Sequence, residues 1–276
     1  MKISVVIVLY KKEASESRSL SSIMSAMPLI AEAGFELTIF VWNNSPDFCE
    51  EFKHPNIIWL EENNAHLPFV YNSVAEKAFT SGSDLLMISD DDSDYSQFDF
   101  LELATVAREI VLEKQCKEKA GCIIPQVFSK RALVSPGRRL LFKGNLIRSV
   151  SSGFLKTKNT VGINSGIVVT RECYNRLSPL YNEQLFFYGT DTDFFYRYEK
   201  EFSYLYVLNS RIQHSLSENT NESIERALFR WSDHFYATRT TFKRSHFFVK
   251  ILLHLYICYM RVKLSMKYKS KKFLKV

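Results

Sequence analysis

The chain has 276 residues, of which 46% are hydrophobic, 14% aromatic and 24% charged, a composition that excludes disordered and fibrous proteins. The formal net charge is +6, but eleven of the 36 basic residues and none of the 30 acidic residues lie from His234 onward. The rest of the chain therefore has a net charge of −5, which argues against nucleic acid as a partner. The eleven are Arg239, Lys243, Arg244, Lys250, Arg261, Lys263, Lys267, Lys269, Lys271, Lys272 and Lys275.

The cysteines and the apolar segments bear on the cellular compartment. The five cysteines are odd in number and scattered, and no CxxC pair occurs, so we expect reduced thiols, a cytoplasmic location and no zinc site. They are Cys49, Cys116, Cys122, Cys173 and Cys258. The first apolar run is too short for a signal peptide and is followed by two lysines. No stretch reaches roughly 18 uncharged apolar residues, so no transmembrane span is expected.

The first hundred residues are predicted to alternate between strands and helices. The expected strands cover residues 2–10, 36–42, 56–60 and 84–89, and the expected helices cover residues 16–33 and 67–80. Such alternation predicts an α/β fold with a mostly parallel sheet and right-handed crossovers. The first strand ends in Leu9-Tyr10-Lys11-Lys12 without a GxGxxG motif, which disfavours a dinucleotide-binding fold.

Three consecutive carboxylates follow the buried strand that ends near Ser89. Asp90, Asp91 and Asp92 stand where ligands bind in open α/β sheets, at the carboxyl end of a strand. Three adjacent like charges repel one another unless a cation lies among them. The spacing of Asp90 and Asp92 puts both side chains on one side of an extended backbone. The pattern therefore suggests Mg²⁺ or Mn²⁺, and a solvated acidic turn is the structural alternative.

Two further groups of residues lie in the second half. A small-residue turn, which includes Gly162 and Gly166, leads into a predicted strand, and we expect its glycines to let the backbone approach a ligand. An aromatic stretch then leads to Asp191 and Asp193 at a predicted helix start, where Thr190 or Asp191 could act as the N-cap. A carboxylate in such an apolar pocket has a raised pKa, which suits a general base.

A histidine follows the last predicted strand of this part of the chain. The strand is expected over residues 204–208, and His214 comes six residues later. His214 is either a third metal ligand, supplied from a distant segment, or a structural residue.

Together these motifs resemble glycosyltransferase family 2, inverting enzymes of the GT-A fold, over residues 2–216. The match includes the opening strand, the turn after the second strand, the segment Asn64-Ala65-His66-Leu67 and the carboxylate triplet. It also includes the small-residue loop, the segment 189–193 and the late histidine. This chain has Asn43 where the family usually has an Asp, His66 in place of Gly, and Thr190 in place of Glu.

The resemblance implies a role for each matched residue. A nucleotide diphosphate sugar would bind through Leu9, Tyr10, Asn43, Asn64, Asn72, Asp90 and Asp91. A Mg²⁺ or Mn²⁺ ion would be held by Asp92, Asp90 and His214. The acceptor side would comprise Gly162, Asn164, Ser165, Gly166 and Asp193. Asp191 would be the general base of a single in-line displacement. The donor sugar and linkage would depend on loops 126–160 and 210–235. Within the family, the sequence resembles bacterial enzymes of O-antigen, capsule or cell-wall polysaccharide synthesis.

The basic C-terminal extension, residues 217–276, is predicted to be helical and separate from a catalytic domain of residues 1–216. Its apolar segment, residues 247–260, is too short to span a bilayer, and a lysine cluster follows it. Such a segment fits attachment to an anionic membrane surface, here the inner face of a bacterial cell membrane. Attachment there would suit a lipid-linked saccharide acceptor. The alternative is a helix packed on the catalytic domain or in a homo-oligomer interface.

Two other functions remain open. A metal-dependent nucleotidyltransferase has a related fold, but it normally has a glycine-rich loop after the first strand, which this chain lacks. A non-catalytic membrane adaptor could use the basic extension, but it would have no need for Asp90, Asp92, Asp191 and Asp193.

Overall fold

A computed structural model describes residues 1–112, 120–214 and 222–276. The strands are β1 (Lys2–Leu9), β2 (Glu36–Asn43), β3 (Ile57–Glu61), β4 (Leu85–Ser89), β5 (Ala120–Ser129), β6 (Ala132–Ser135), β7 (Gly137–Leu140), β8 (Lys143–Asn145), β9 (Gly153–Lys156), β10 (Thr160–Val161), β11 (Ile167–Thr170) and β12 (Tyr204–Gln213). The α-helices are α1 (Arg18–Ser25), α2 (Met27–Glu32), α3 (Leu67–Thr80), α4 (Phe100–Leu112), α5 (Arg171–Leu177), α6 (Thr190–Glu201), α7 (Ile224–Thr241) and α8 (Phe247–Lys267).

A nine-stranded sheet forms the centre of the described chain. Its order is β3-β2-β1-β4-β11-β5-β12-β9, and β6 pairs with β5. The first four strands in this order are parallel, and so are β5 and β12. Strand β11 lies antiparallel between β4 and β5. The arrangement confirms the predicted α/β class with a central, mostly parallel sheet.

Helices cover both faces of this sheet. Because successive residues of a strand point to opposite faces, Val5 and Ile7 of β1 pack with α1, α2 and α4, whereas Val6 and Val8 pack with α3, α5 and α6. All five residues of β4 are buried. Burial of both faces fixes the register of each strand, since a slip of one residue would exchange the two faces.

The predicted helix over residues 16–33 is divided in two. Helix α1 ends at Ser25, and α2 begins at Met27 with Pro28 in its first turn. Proline has no N–H to donate, and its ring clashes with the carbonyl of the residue four positions earlier, so an uninterrupted helix cannot pass through Pro28. The last predicted strand is longer than expected, since β12 continues to Gln213, next to His214.

The C-terminal helices α7 and α8 pack against each other in a third apolar cluster. Phe235 of α7 and Phe242, which directly follows α7, meet Leu253 and Ile257 of α8, and Phe142 from the β7–β8 hairpin joins them. The predicted boundary between residues 216 and 217 lies outside the described residues, so the two-domain division stays a prediction. Among the described helices, none combines the length and apolar character needed to cross a bilayer.

The described cysteines are free thiols, as expected, and Cys116 lies outside the described residues. The free thiols are Cys49, Cys122, Cys173 and Cys258.

Candidate active site

The carboxylate triplet lies where the sheet order places it, at the carboxyl end of β4. Strand β1 runs parallel on one side of β4, and β11 begins on the other. The hydroxyl of Ser19 in α1 donates to the backbone carbonyls of Asp90 and Ser93. Helix α1 therefore fixes the turn that carries the triplet. The side chains of the three aspartates have different surroundings.

Asp90, Asp92 and His214 converge on one point. Each offers a ligand atom, and the three atoms lie within 4.8 Å of one another. Nδ1 of His214 is 3.1 Å from Oδ1 of Asp92. Ser165 donates a hydrogen bond of 2.5 Å to Oδ2 of Asp90. The backbone N–H of His214 donates to the carbonyl of Phe128 at 2.9 Å, which holds the histidine at the end of the sheet.

The charges around this cluster suit a bound cation. Burial is the largest influence on Asp90 and raises the pKa of its carboxyl. Burial would lower the pKa of His214, but the adjacent carboxylate of Asp92 and the charges of the other aspartates raise it overall. The side chain of Asp91 behaves differently, since it forms an ion pair of 2.7 Å with Lys12. The acidic surroundings that raise the pKa of His214 would equally attract a divalent cation.

One atom in the cluster supports a metal directly. Oδ1 of Asp92 is buried and accepts no hydrogen bond of normal geometry from any described residue, although His214 is close. Leaving a buried carboxylate oxygen without a partner is costly. Two carboxylates and one imidazole are ligands that suit Mn²⁺ or Mg²⁺. These residues therefore fit a divalent cation, and three protein ligands leave coordination positions for a diphosphate.

Asp191 lies in the first turn of α6, near the metal cluster. The pKa of its carboxyl is raised from 3.8 to about 6, chiefly by burial; the backbone N–H of Thr192 opposes this shift, and the charge of Asp90 adds to it. That N–H donates to Oδ1 of Asp191 at 2.6 Å. A carboxylate with this pKa is ionised at pH 7 and yet basic enough to accept a proton from a hydroxyl group.

The cap of α6 differs from the prediction that Thr190 or Asp191 would provide it. The N-cap is Gly189, with a left-handed φ of +76°. A Cβ at Gly189 would lie 2.8 Å from Cβ of Ala237 in α7. Glycine is therefore required for both conformation and space. Because Gly189 occupies the N-cap position, the side chain of Asp191 is not the helix cap.

Asp233, a buried residue of α7, was not predicted from the sequence. Its Oδ2 accepts hydrogen bonds from the backbone N–H groups of Phe187 and Tyr188, at 3.2 and 2.9 Å. These two residues immediately precede Gly189 and the turn that carries Asp191. Asp233 therefore positions the candidate base. No sequence pattern indicates this role, because an isolated Asp in an amphipathic helix is normally exposed.

Tyr71 of α3 is a second residue that the sequence analysis missed. Its hydroxyl is buried and forms no hydrogen bond of normal geometry with the described residues. Burial, followed by the nearby charge of Asp90, raises its pKa well above the ordinary value, and Asp191 adds to the effect. The hydroxyl therefore lies within the influence of both carboxylates, without a partner of normal geometry among the described residues. Only its helical periodicity was visible in the sequence, and that indicates a core residue.

The acceptor-side loop is shaped by packing. A Cβ at Gly162 would lie 2.8 Å from the ring of Phe195, and one at Gly166 would lie 2.5 Å from Cδ1 of Ile212. Protein atoms therefore already fill the space beside these two glycines, and the close approach of a ligand to their backbone stays a prediction. Asn164 joins this loop to the site, since it donates to Thr190 at 3.2 Å and accepts from Tyr181 at 2.9 Å.

Asp193 has a structural environment. Its buried carboxylate forms an ion pair of 2.9 Å with Arg197, one turn later in α6. Arg197 also donates to the carbonyls of Leu177, Pro179 and Leu180. The charge of Asp193 thus helps to join α6 to the segment after α5, and its acceptor-side role stays a prediction.

The residues predicted to bind the nucleotide differ in their exposure. Leu9 is buried, whereas Tyr10 is half exposed. Tyr10 borders an open groove of about 400 Å³ with Ser45, Phe48 and Asn64. This groove lies beside the ends of β1 and β2, where we expected the base, and its two exposed aromatic rings could stack on one.

The two remaining asparagines support loops. The side-chain amide of Asn43 donates to the carbonyl of Cys49 at 2.9 Å, and its oxygen accepts from the N–H of Ser45. Asn72 both donates to and accepts from the backbone of Tyr181. Their direct contact with a nucleotide stays a prediction, and the structure places both inside the protein's own hydrogen-bond network.

No family model and no curated protein matches the sequence. The crystal structure of GalNAc-T7 with UDP, GalNAc and Mn²⁺ aligns with a TM-score of 0.62 at 13% identity. The alignment covers 99% of this chain and 55% of that chain, so this chain spans about half the length of its neighbour. The crystal structure of A197 from STIV aligns over 82% of this chain and 92% of that chain, at 14% identity and a TM-score of 0.45, which is too low to support an argument. The first alignment confirms the predicted GT-A fold and shows the fold alone.

Proposed function

We propose that this protein is a metal-dependent glycosyltransferase that moves a sugar from a nucleotide diphosphate sugar to an acceptor hydroxyl. One observation carries the proposal. Two carboxylates and an imidazole from separate segments converge within 4.8 Å, and the charge of the same Asp90 helps to raise the pKa of Asp191 to about 6. A cation site beside a partly buried base is a combination that suits glycosyl transfer.

Each residue has a defined task in this proposal. Asp90, Asp92 and His214 would hold Mn²⁺ or Mg²⁺, and the bound ion would neutralise the departing diphosphate. Asp191 accepts the proton of the acceptor hydroxyl as that oxygen attacks the anomeric carbon. Asp233 and Gly189 hold Asp191 in place, and Tyr71 offers a hydroxyl to the substrate. A single displacement inverts the configuration of the sugar, as in glycosyltransferase family 2.

The neighbouring structure supports the choice of donor. GalNAc-T7 binds UDP and GalNAc with Mn²⁺ in that crystal, and the shared fold makes a nucleotide-sugar donor the first class to test. We further propose a lipid-linked saccharide acceptor of bacterial surface-polysaccharide synthesis, used at the inner face of the cell membrane. The basic extension supports this finer assignment.

The test is a thermal-shift series with uridine, guanosine, cytidine and thymidine diphosphates, each with and without Mn²⁺. A ligand that binds only the folded state increases the free energy of unfolding by about 2.7 kcal/mol at one hundred times its dissociation constant, and the melting temperature rises accordingly. We expect a Mn²⁺-dependent rise with at least one diphosphate. A protein that responds to none of them would contradict the proposal. Sugar nucleotides of the responding base would then be screened for hydrolysis and transfer.

A further inference from the structure

Helix α8 has one face buried against the protein. Leu253, Ile257 and Leu264 are at most 6% exposed and belong to the cluster shared with α7. The ring of Tyr256 packs on Phe142, with centroids 5.7 Å apart. These contacts fix the rotation of α8 about its axis, and therefore determine which residues point outward.

The opposite face is an exposed apolar stripe with regular spacing. Its members follow one another at alternating intervals of four and three residues, and each is between 45% and 72% exposed. They are Phe248, Leu252, Leu255, Tyr259, Val262 and Met266. Because an α-helix repeats every 3.6 residues, this spacing keeps all six on one side. The stripe is about 27 Å long, and Phe247 and Ile251 widen it at its start.

The surroundings of the stripe are basic. From His234 onward the chain has no acidic residue. The exposed basic residues of this region are Arg239, Lys243, Arg244, Lys250, Lys263, Lys267, Lys269, Lys271, Lys272 and Lys275. Two of them, Lys263 and Lys267, lie on α8 within its last two turns. Exposed aromatic and aliphatic side chains next to lysines are typical of helices that lie in the headgroup region of a bilayer.

We propose that α8 docks flat on an anionic lipid surface through this stripe. A second copy of the chain is a poorer partner, because pairing two stripes would bring two strongly positive segments together. A bilayer containing anionic lipid supplies both an apolar layer and negative charge. This proposal rests on the proposed function in one respect. If the acceptor is a lipid-linked saccharide, it would be presented at the same lipid surface that α8 binds.

The helix that would bind the lipid surface is also connected to the candidate active site. Helix α8 packs on α7, and Asp233 of α7 binds the two backbone N–H groups that precede Gly189. The membrane-facing helix is thus separated from the turn that carries Asp191 by one helix only. Attachment through α8 therefore fixes how the site approaches the lipid surface.

The experiment is co-sedimentation of the full chain with vesicles of phosphatidylcholine alone or mixed with phosphatidylglycerol, across a salt series. The variant Phe248→Ser/Leu255→Ser/Met266→Ser removes three exposed members of the stripe and leaves the buried face unchanged. Its matched control is Leu29→Ser/Leu101→Ser, which changes two residues that are 59% and 63% exposed on α2 and α4. Circular dichroism and thermal melting without nucleotide verify that each variant is folded.

We expect the unchanged protein and the control to bind vesicles that contain phosphatidylglycerol, with weaker binding as salt rises. The stripe variant should lose about tenfold or more in vesicle affinity. Binding by the stripe variant equal to that of the unchanged protein, or no binding by the unchanged protein, would overturn the proposal. A stripe-dependent dimer in sedimentation analysis, without vesicle binding, would identify a second copy as the partner. These results are independent of the thermal-shift response to nucleotides, so either proposal can fail alone.

Discussion

Replacing Asp191 by Asn tests the assignment of the general base. The amide has nearly the same shape as the carboxylate but cannot accept a proton, and loss of a general base lowers the rate by about 10²–10⁴. This corresponds to about 2.7–5.4 kcal/mol of transition-state stabilisation. Donor binding should be unchanged, because Asp191 is not among the three candidate metal ligands.

The pH dependence gives a second measure of the same group. Asp191 has a pKa of about 6, raised from 3.8, and it acts as a base only when ionised. Activity should therefore be full well above pH 6 and should fall about tenfold for each pH unit below it. A bound cation near Asp90 would offset part of the raising effect of that aspartate and would move the acid limb to lower pH.

The assay measures initial rates of transfer, or of donor hydrolysis, across pH for the unchanged protein and for Asp191→Asn, with donor affinity measured separately by calorimetry. An Asp191→Asn variant that keeps most of its turnover and the same acid limb would refute the assignment. Asp193→Asn is the matched comparison. It removes the charge that pairs with Arg197 and should destabilise the fold by about 1.5–3 kcal/mol, but the folded fraction should remain active.

Three further predictions concern other residues. Asp233→Ala should lower turnover more than donor affinity, because it frees the N–H groups of Phe187 and Tyr188; equal losses in kcat and in donor binding, measured by kinetics and calorimetry, would argue for a general structural role. Tyr71→Phe should change the free energy of unfolding by less than about 1 kcal/mol, because its hydroxyl has no partner of normal geometry to lose. The same variant should reduce transfer, and full activity would show that the substrate does not use this hydroxyl. Chelation of divalent cations should abolish transfer, and added Mn²⁺ should restore it; activity that survives chelation would exclude a metal-dependent reaction.

The sequence predicted those parts of the fold that follow from local patterns. The buried strand before Asp90 and the helix from Leu67 to Thr80 were correct, because an apolar run and a helical period each specify one structure. The division near Pro28 was missed, although the ring chemistry of proline could have indicated it. The pairing of β11 between β4 and β5 could not be predicted, since antiparallel insertion depends on contacts distant in sequence.

The candidate site shows the same limit. The convergence of Asp90, Asp92 and His214 was predicted as a hypothesis, because two of the three lie together after one strand. The ion pair of Asp193 and the close packing of the loop glycines were not predictable. They depend on the three-dimensional positions of Arg197, Phe195 and Ile212. Asp233 escaped detection for the same reason, since its partners are backbone N–H groups that no sequence pattern reveals.

The most direct test of the central claim is calorimetry of nucleoside diphosphate binding with and without Mn²⁺, for the unchanged protein and for Asp92→Ala. Asp94→Asn is the control, because Asp94 lies two residues away and forms an ion pair with Arg18 instead. The account predicts Mn²⁺-dependent binding by the unchanged protein and by Asp94→Asn, with a loss of the Mn²⁺ dependence in folded Asp92→Ala. Equal Mn²⁺-dependent affinity in Asp92→Ala and the unchanged protein would contradict it.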